Sequence, residues 1–433
     1  MRRFIGTVAF FLLLGTGALS ADQQTDWPSF HGPDRDNRSN ETGLLRAWPE
    51  GGPKLLWTAS GLGHGYSSVA VVGNRIFTAG MFGKDTHIAC IGPDAGIIWQ
   101  RLAGKSWEAS ERQRWAVPYS GSRATPTVDG DTVYFLSELG TLTAFMAANG
   151  DERWSLDLAR TFEADKPKYG YSESVLVDGN RLFCSPGGKK GYMVAVDKRN
   201  GRVLWVNSEI NDVVGNSSSV LAEIAGVKQV VSLSSARVFA VDPEGGGLLW
   251  QYPFGNKRGN SATDVIVEGG LVYASCGYGK GSILLRPERT DDGSFAVNRV
   301  WESKLLDNHH GGVVLVDGSL YGAGHVAKGW FSLAFLGGGK NWQKAGKGSL
   351  TYADDHLYFL DEKGQMSLVL ADSKKYTEVA RFTVPKGGRG PYWAHPVVCN
   401  GRLYIRHSDQ LYAYDIRESS QTVEMGAMGK KRN

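Results

Sequence analysis

The chain has 433 residues, of which 42% are hydrophobic and 11% aromatic, and it contains 57 glycines. No long stretch has helical periodicity, so this composition favours many short strands joined by tight turns around a substantial core. The net charge of +4 includes basic residues at both ends of the chain, so the folded part is close to neutral and nucleic-acid binding is not expected.

Residues 1–21 have the pattern of a signal peptide. Two arginines precede an apolar run over residues 4–14, and Ala18-Leu19-Ser20 offers a small-x-small cleavage site near Ser20 and Ala21. The apolar run is short for a membrane span, and no cysteine follows the cleavage site to carry a lipid. The sequence therefore predicts a periplasmic or extracellular protein with no transmembrane segment in the mature chain. Residues 22–53 then form an N-terminal extension.

From residue 66 onwards the sequence repeats a strand, a tight turn and a second strand. The first copy has its turn at Gly73-Asn74. Seven further turns follow at Asp129-Gly130, Asp178-Gly179, Ala225-Gly226, Glu268-Gly269, Asp317-Gly318, Asp354-Asp355 and Asn400-Gly401. Asn-Gly and Asp-Gly pairs are typical of two-residue hairpins. Eight such units in tandem have the spacing of propeller blades.

Each unit then carries a second hairpin, which ends in tryptophan in most copies. Ala and Trp lie ten residues apart at Ala89 and Trp99, Ala144 and Trp154, Ala195 and Trp205, and Ala240 and Trp250. A glycine at 150, 201 or 246 lies between the two in three copies. We expect these tryptophans to pack as large apolar plates between neighbouring blades.

The two ends of the repeat region complement each other. The last unit has three strands, over residues 396–399, 402–406 and 410–414, whereas Lys54–Trp57 is a strand without a unit. Pairing them closes the ring and removes the open edges. The sequence therefore predicts an all-β, eight-bladed β-propeller of four-stranded antiparallel blades over residues 54–416, in which an N-terminal strand completes the last blade. A disordered polar tail follows at residues 417–433.

The run from Ala195-Val196-Asp197 to Trp205 resembles the repeat of the pyrroloquinoline-quinone (PQQ) propeller family, as do residues 240–250 and the opening segment 26–33. One branch of that family contains quinoprotein dehydrogenases, which hold PQQ and Ca²⁺ on the propeller axis. Another contains non-catalytic scaffolds such as the propeller lipoprotein of the outer-membrane barrel-assembly machine. The chain lacks the adjacent cysteine pair of the dehydrogenases and the lipidated cysteine of the lipoprotein. Its own four cysteines are far apart and are predicted to be buried thiols.

The loops that enter each first strand meet at one rim of a propeller, where ligand sites collect. Imidazoles there could bind a metal or act as bases, Arg123 could clamp an anion, and Asp264 could accept a proton or bind a metal. The structural alternative is that polar loops merely keep the channel solvated, which is the more common role for His64 or His395 taken alone. The candidate ligand-binding residues are His64, Tyr66, Arg123, Tyr171, Asn216, Asn260, Asp264, His309, His310, Trp393 and His395.

No complete catalytic set can be named from these residues. The sequence therefore favours an exported, non-catalytic binding or scaffold protein of the cell envelope, monomeric, with an envelope protein or a small-molecule or polymer ligand as its partner. One alternative is a quinoprotein-type oxidoreductase that uses PQQ and a divalent metal. The other is a lyase or hydrolase that uses metal and the rim histidines.

Overall fold

The computed structural model describes residues 25–109, 116–117, 119–164 and 167–418, so the predicted signal peptide and most of the predicted tail lie outside the described residues. Eight sheets, each with four antiparallel strands, form the predicted propeller, and a short parallel strand from the N-terminal extension joins one of them as a fifth. We number these blades 1 to 8 in chain order. Blade 1 consists of β3 Ala70–Val72, β4 Arg75–Phe82, β5 Asp85–Ile91 and β6 Ile97–Lys105, and blade 2 of β7 Thr127–Asp129, β8 Thr132–Leu136, β9 Thr141–Met146 and β10 Glu152–Asp157. Blade 3 consists of β11 Leu176–Asp178, β12 Arg181–Cys184, β13 Met193–Asp197 and β14 Val203–Asn207, and blade 4 of β15 Val220–Ile224, β16 Val227–Leu233, β17 Arg237–Val241 and β18 Leu248–Pro253.

Blades 5 to 8 repeat this plan. Blade 5 consists of β19 Ile266–Glu268, β20 Leu271–Cys276, β21 Gly281–Arg289 and β22 Phe295–Ser303, and blade 6 of β23 Val313–Val316, β24 Ser319–Ala323, β25 Gly329–Ala334 and β26 Lys340–Ala345. Blade 7 consists of β27 Gly348–Ala353, β28 His356–Asp361, β29 Gln365–Leu370 and β30 Glu378–Thr383, and blade 8 of β31 Val397–Cys399, β32 Arg402–His407, β33 Gln410–Asp415 and β2 Lys54–Ala59. First strands of neighbouring blades contact each other around the axis. A short helix, α1 Leu158–Thr161, joins blades 2 and 3, and no helix among the described residues is long and apolar enough to cross a bilayer.

The ring closes as the sequence predicts. Strand β2 pairs antiparallel with β33, from Lys54 opposite Asp415 to Ala59 opposite Leu411, and becomes the fourth strand of blade 8. The first and last segments of the propeller therefore share one sheet, in which β2 covers the edge that β33 would otherwise leave unpaired.

The hairpin turns are where predicted, but three of them are shifted by one residue. Strand pairing makes Gly130-Asp131, Gly179-Asn180 and Gly269-Gly270 the two-residue loops, because Asp129, Asp178 and Glu268 are still paired as the last strand residues. The acidic residues therefore end the strands, and glycine supplies the first positive φ of each loop.

Tryptophans join successive blades, as expected. Trp99, Trp154 and Trp205 each donate a 3.0 Å hydrogen bond from Nε1 to a backbone carbonyl of the following blade. Their rings lie on Gly150, Gly201 and Gly246 of that blade, where a Cβ would come within 2.4–2.6 Å of the indole. Trp250 differs, because its Nε1 donates to Gln229 of its own blade. All four cysteines are buried and unpaired, as predicted.

The N-terminal extension crosses the central channel. Trp27 bridges Val71 of blade 1, and the Pro28 carbonyl accepts from Val128 of blade 2. Arg35 donates to the carbonyls of Ser174 and Val175 beside blade 3, at 2.6 and 2.9 Å. Strand β1, Arg38–Ser39, then pairs in parallel with β27 of blade 7. The extension therefore fills the channel from within and turns it into a cavity that is closed at one end.

Candidate functional site

A cavity of about 580 Å³ lies above the extension on the propeller axis. It opens on the face formed by the loops that lead into each first strand and by those between second and third strands, which we call the mouth face. Its wall is lined by Phe30, Tyr66, Tyr119, Arg123, Tyr169, Ser172, Asn216, Ser218, Arg258, Asn260, Ala262, Tyr278, His309, His310, His325, Lys347, Glu362, Pro391, Trp393 and His395. Volume and lining are those of an ordinary small-ligand site.

Eight of the eleven residues predicted from the sequence line this cavity, and His64, Tyr171 and Asp264 do not. Tyr171 is fully buried between blades, and its hydroxyl donates to the Pro186 carbonyl at 2.8 Å. His64 turns aside to bond Ser408 Oγ through Nδ1 at 2.8 Å. Each of these two side chains therefore serves the packing of the rim.

Asp264 lies beneath the cavity in a chain of hydrogen bonds that links neighbouring blades. Two residues before the first strands of blades 1 to 4, a backbone N–H donates to the equivalent side chain of the next blade. These bonds run from Ser68 to Thr125 (3.1 Å), from Thr125 to Ser174 (2.9 Å), from Ser174 to Ser218 (3.1 Å) and from Ser218 to Asp264 (2.6 Å). Asp264 is 6% exposed, and its Oδ1 joins blade 5 to blade 4 through the Ser218 N–H.

The floor of the cavity is formed by Phe30, His31 and His395. Phe30 stacks on the His31 ring at 3.8 Å between centroids. His31 Nε2 lies 3.0 Å from His395 Nδ1, and His31 Nδ1 lies 3.3 Å from Asp264 Oδ2. His395 Nε2 lies 2.7 Å from the His310 carbonyl, to which it must donate. The floor thus ties the extension to blades 5, 6 and 8.

His395 is a neutral imidazole at neutral pH. Its Nε2 carries the proton that is donated to the His310 carbonyl, so its Nδ1 is left as an acceptor that faces His31 Nε2. Burial, followed by the neighbouring His31, lowers the pKa of His395 to about 3.

A second hydrogen-bonded chain runs around the wall from blade 4 to blade 7. Asn216 Nδ2 donates to Asn260 Oδ1 (3.3 Å), and Asn260 Nδ2 donates to His309 Nε2 (3.3 Å). His309 Nδ1 then donates to His310 Nδ1 (2.9 Å), whose Nε2 faces Glu362 Oε1 at 3.6 Å. The amide of Asn260 can only donate to His309, so both imidazoles have defined tautomers and neither needs a second proton.

Burial keeps the wall histidines neutral. It lowers the pKa of His309 to about 3, and it lowers the pKa of His310 well below the usual range. Burial and then Lys347 lower the pKa of His325 in the same direction. Near neutral pH these rings act as hydrogen-bonding groups without charge, in keeping with the cost of an ion in a dry site.

The formal charges on the cavity wall are Arg123, Arg258, Lys347 and Glu362. Arg123 donates to the Tyr119 and Gly121 carbonyls, at 2.5 and 3.1 Å, and lies over the Trp107 ring. Lys347 pairs with Glu362 at 2.9 Å, and Glu362 also accepts from Trp393 Nε1 at 2.8 Å. Arg258 is exposed and lies 5.6 Å from the Tyr278 ring centroid. The wall therefore has a net positive charge.

Twelve lining residues were not among the predicted candidates, and four of them lie outside the loops that precede first strands. Tyr278, His325 and Glu362 follow the second strands of blades 5, 6 and 7. Phe30 belongs to the N-terminal extension, which the sequence did not place in the channel. The loops between second and third strands recur in every repeat, and this recurrence was the sequence signal that could have identified Tyr278, His325 and Glu362.

The donor set does not fit the Ca²⁺ of quinoprotein dehydrogenases. Calcium takes six to eight oxygen ligands, usually with several carboxylates. Of the described residues that line the cavity, Glu362 is the one with an acidic side chain, and it is already paired with Lys347. Across the described part of the chain, no three His, Cys, Asp or Glu side chains are arranged to share an ion. The cavity therefore does not offer the oxygen ligands of such a Ca²⁺ site.

Eight blades, interblade tryptophans and a closed axial cavity define a propeller of the PQQ-repeat class. Residues 84–332 match the family model described as outer membrane protein assembly factor BamB, which is more than half of the chain. The chain therefore belongs to this family, and the resemblance seen in the repeats is confirmed.

The relatives agree on the fold. The outer membrane protein assembly factor BamB of Shewanella oneidensis is 28% identical over 151 residues, which are 34% of this chain and 36% of that protein, so about a third of the relative is matched. BamB from Moraxella catarrhalis superimposes with a TM-score of 0.59 at 13% identity, covering 84% of this chain and 98% of its own. Quinohemoprotein alcohol dehydrogenase from Comamonas testosteroni gives 0.62 at 12%, covering 91% and 81%. At these identities the structures show the shared fold alone.

Proposed function

We propose that this protein is an exported binding protein of the cell envelope that holds a ligand in the axial cavity without transforming it. The observation that carries the proposal is the cavity itself, which is closed below by the chain's own extension and lined by aromatic and polar side chains.

The hydrogen bonding of three of the four lining histidines supports recognition over catalysis by these rings. Both nitrogens of His309, His310 and His395 contact protein groups. A general base needs an accessible nitrogen or oxygen within hydrogen-bond reach of its substrate. These side chains instead present a pre-formed surface, which is what affinity requires.

Two observations support an envelope location. Residues 1–21 have the pattern of a cleaved export signal, and the family takes its description from an outer membrane assembly factor. Cell fractionation of the full chain beside a variant without residues 1–21 tests this. Export predicts a shortened product outside the cytoplasm for the full chain and a cytoplasmic product for the variant, and identical locations would contradict it.

Binding can be tested with a panel of ligand classes and a variant that fills the cavity. Ala262 lines the cavity, so Ala262→Trp should occupy part of it, and Ala296→Trp on the exposed outer strand β22 is the matched control. The panel contains PQQ with Ca²⁺, aromatic carboxylates, neutral and acidic oligosaccharides, and acidic peptides. A ligand of the folded state raises the melting temperature. We expect such a rise in the wild type and the control but not in Ala262→Trp; no rise with any class, or the same rise in all three, would refute the proposal.

The family match favours a second candidate, in which the propeller is a docking platform for an envelope protein. That function depends on outer loops and not on the cavity. Co-purification of a partner to the same extent with wild type and Ala262→Trp, without any cavity ligand, would favour it.

A further inference from the structure

We propose that the axial cavity binds the end of an acidic oligosaccharide chain, an inference that rests on the proposed function and gives its ligand a chemical class. Three observations point to it: an electrostatic difference between the two faces of the propeller, a positively charged wall with neutral histidines, and a closed floor beneath aromatic rings.

The two faces of the propeller carry opposite charge. Of the described residues in the loops of the mouth face, fifteen are Lys or Arg and ten are Asp or Glu. Four of those acidic residues, Glu138, Glu173, Asp264 and Asp307, are buried. In the hairpin loops of the opposite face, described residues include five Lys or Arg and eleven Asp or Glu. Such a field draws a polyanion towards the mouth and away from the other face.

Inside the mouth, two cations are placed to meet an anionic group. Arg258 is exposed at the wall and has no ion-pair partner among the described residues, and Lys347 lies deeper with its Nζ 2.9 Å from Glu362. The neighbouring histidines add no charge, since burial lowers the pKa of His309 and His310. An incoming carboxylate or sulfate would therefore meet Arg258 first, through the charge-assisted bonds that guanidinium groups form with such oxyanions.

The rest of the lining suits a sugar ring. Flat faces are offered by Phe30, Tyr66, Tyr119, Tyr169, Tyr278 and Trp393, and Tyr119 and Trp393 stack on each other at 5.0 Å to give a rigid plate. Between the rings lie the short polar side chains of Ser172, Ser218, Asn216 and Asn260, which can exchange hydrogen bonds with ring hydroxyls. Aromatic faces with polar tips are the usual way to recognise a ligand that has both apolar and polar surfaces.

The closed floor selects a chain end. Phe30 and His31 lie across the axis and are tied to His395 and Asp264, so a polymer cannot pass through the channel. A ligand must enter from the mouth and stop at the floor, with the remainder of the chain lying along the positively charged loops.

The test is calorimetric titration of the mature protein with four probes of defined chemistry: trigalacturonate, its fully methyl-esterified form, triglutamate and a tetrathymidylate. A sulfated carrageenan tetrasaccharide distinguishes sulfate from carboxylate. The matched variants are Arg258→Ala, at the cavity wall, and Lys257→Ala, at the adjacent exposed residue that does not line it.

We expect at least one of the two acidic sugars to bind. If the protein recognises the carboxylate, the ester should bind at least tenfold more weakly than trigalacturonate. Arg258→Ala should weaken binding about tenfold, whereas Lys257→Ala should change it less than twofold. Equal binding of triglutamate or tetrathymidylate, equal effects of the two variants, or no binding of either acidic sugar would overturn the inference. If neither acidic sugar binds but another ligand of the panel raises the melting temperature of the wild type and not of Ala262→Trp, the proposed function still holds. If no ligand of the panel binds, the proposed function and this inference are both refuted.

Discussion

Replacing His395 by glutamine tests the idea that the cavity floor is held by uncharged histidine. The imidazole accepts at Nδ1 from His31 and donates at Nε2 to the His310 carbonyl. Glutamine has one acceptor and two donors on its amide, so it can preserve one bond of each kind while removing the titration. The variant should therefore fold, and its stability should respond differently to pH.

The sign and size follow from the depressed pKa. Burial holds the pKa of His395 at about 3 in the folded protein, whereas an unfolded histidine has a pKa of about 6.5. Between these values the unfolded state binds the extra proton, so stability is full above about pH 6.5 and is lost as the pH falls towards 3. Between pH 7.5 and pH 5.0 His395 alone costs the wild type about 2 kcal/mol.

The measurement is urea unfolding of wild type and His395→Gln at both pH values. Burial raises the pKa of Glu173 to about 8, so this carboxyl contributes in the opposite direction over the same interval. Its contribution is common to both proteins and cancels in the difference of differences. We expect the wild type to lose about 2 kcal/mol more than the variant between pH 7.5 and pH 5.0. A difference below about 0.5 kcal/mol would show that His395 is not held neutral by burial.

Three further predictions concern the framework around the cavity. Gly246→Ala places a Cβ 2.4 Å from the Trp205 ring at φ +76°, whereas Gly226→Ala has a similar φ of +73° and open space around the Cβ. In urea unfolding, the free energy of unfolding should fall by about 2–4 kcal/mol for Gly246→Ala and by about 1 kcal/mol for Gly226→Ala. Equal losses would contradict the interblade contact. Arg35→Met leaves the Ser174 and Val175 carbonyls without their donor; we expect a loss of about 2–4 kcal/mol and faster proteolysis within residues 25–53, and unchanged proteolysis would argue against the anchoring role. The four cysteines are free and buried, so a thiol reagent should label none in the native protein and all four in denaturant; early labelling or fewer than four would refute this.

The fold could be predicted from the sequence because each blade is a local unit with its own turn and packing signals. The recurring spacing of Ala195 and Trp205 predicted a second hairpin that ends in tryptophan, and the two residues lie opposite each other in β13 and β14. Closure could also be predicted, because a three-stranded last unit needs a partner and Lys54–Trp57 had none. The predicted turn at Asp129-Gly130 was wrong by one residue, because Asp129 is still paired in the strand. A turn dipeptide by itself does not show which of its residues remains in the strand.

The candidate site was predicted only as far as the repeat extends. Asn260, His309 and His395 all lie in loops that precede first strands, and all three reach the cavity. Phe30 and His31 have no phase in the repeat, and His31 meets His395 across 364 residues of sequence. Contacts of that kind depend on how the extension threads the assembled ring, which no local pattern encodes.

Departures from the repeat nevertheless point to the place where the extension is held. Two residues before the first strand, four blades carry Ser or Thr, at Ser68, Thr125, Ser174 and Ser218. Blades 5 and 8 carry Asp264 and His395 at that position, and these are the two side chains that contact His31. Blade 6 has Gly312 beside them, where a Cβ would lie 2.9 Å from His395 Cε1.

A propeller with no segment across its axis would have no use for an acid and an imidazole where other blades place a hydroxyl, or for a glycine beside them. Because these substitutions all serve one inserted imidazole, the closed floor is specified by the blades as well as by the extension. A ligand that enters this cavity therefore meets a built surface.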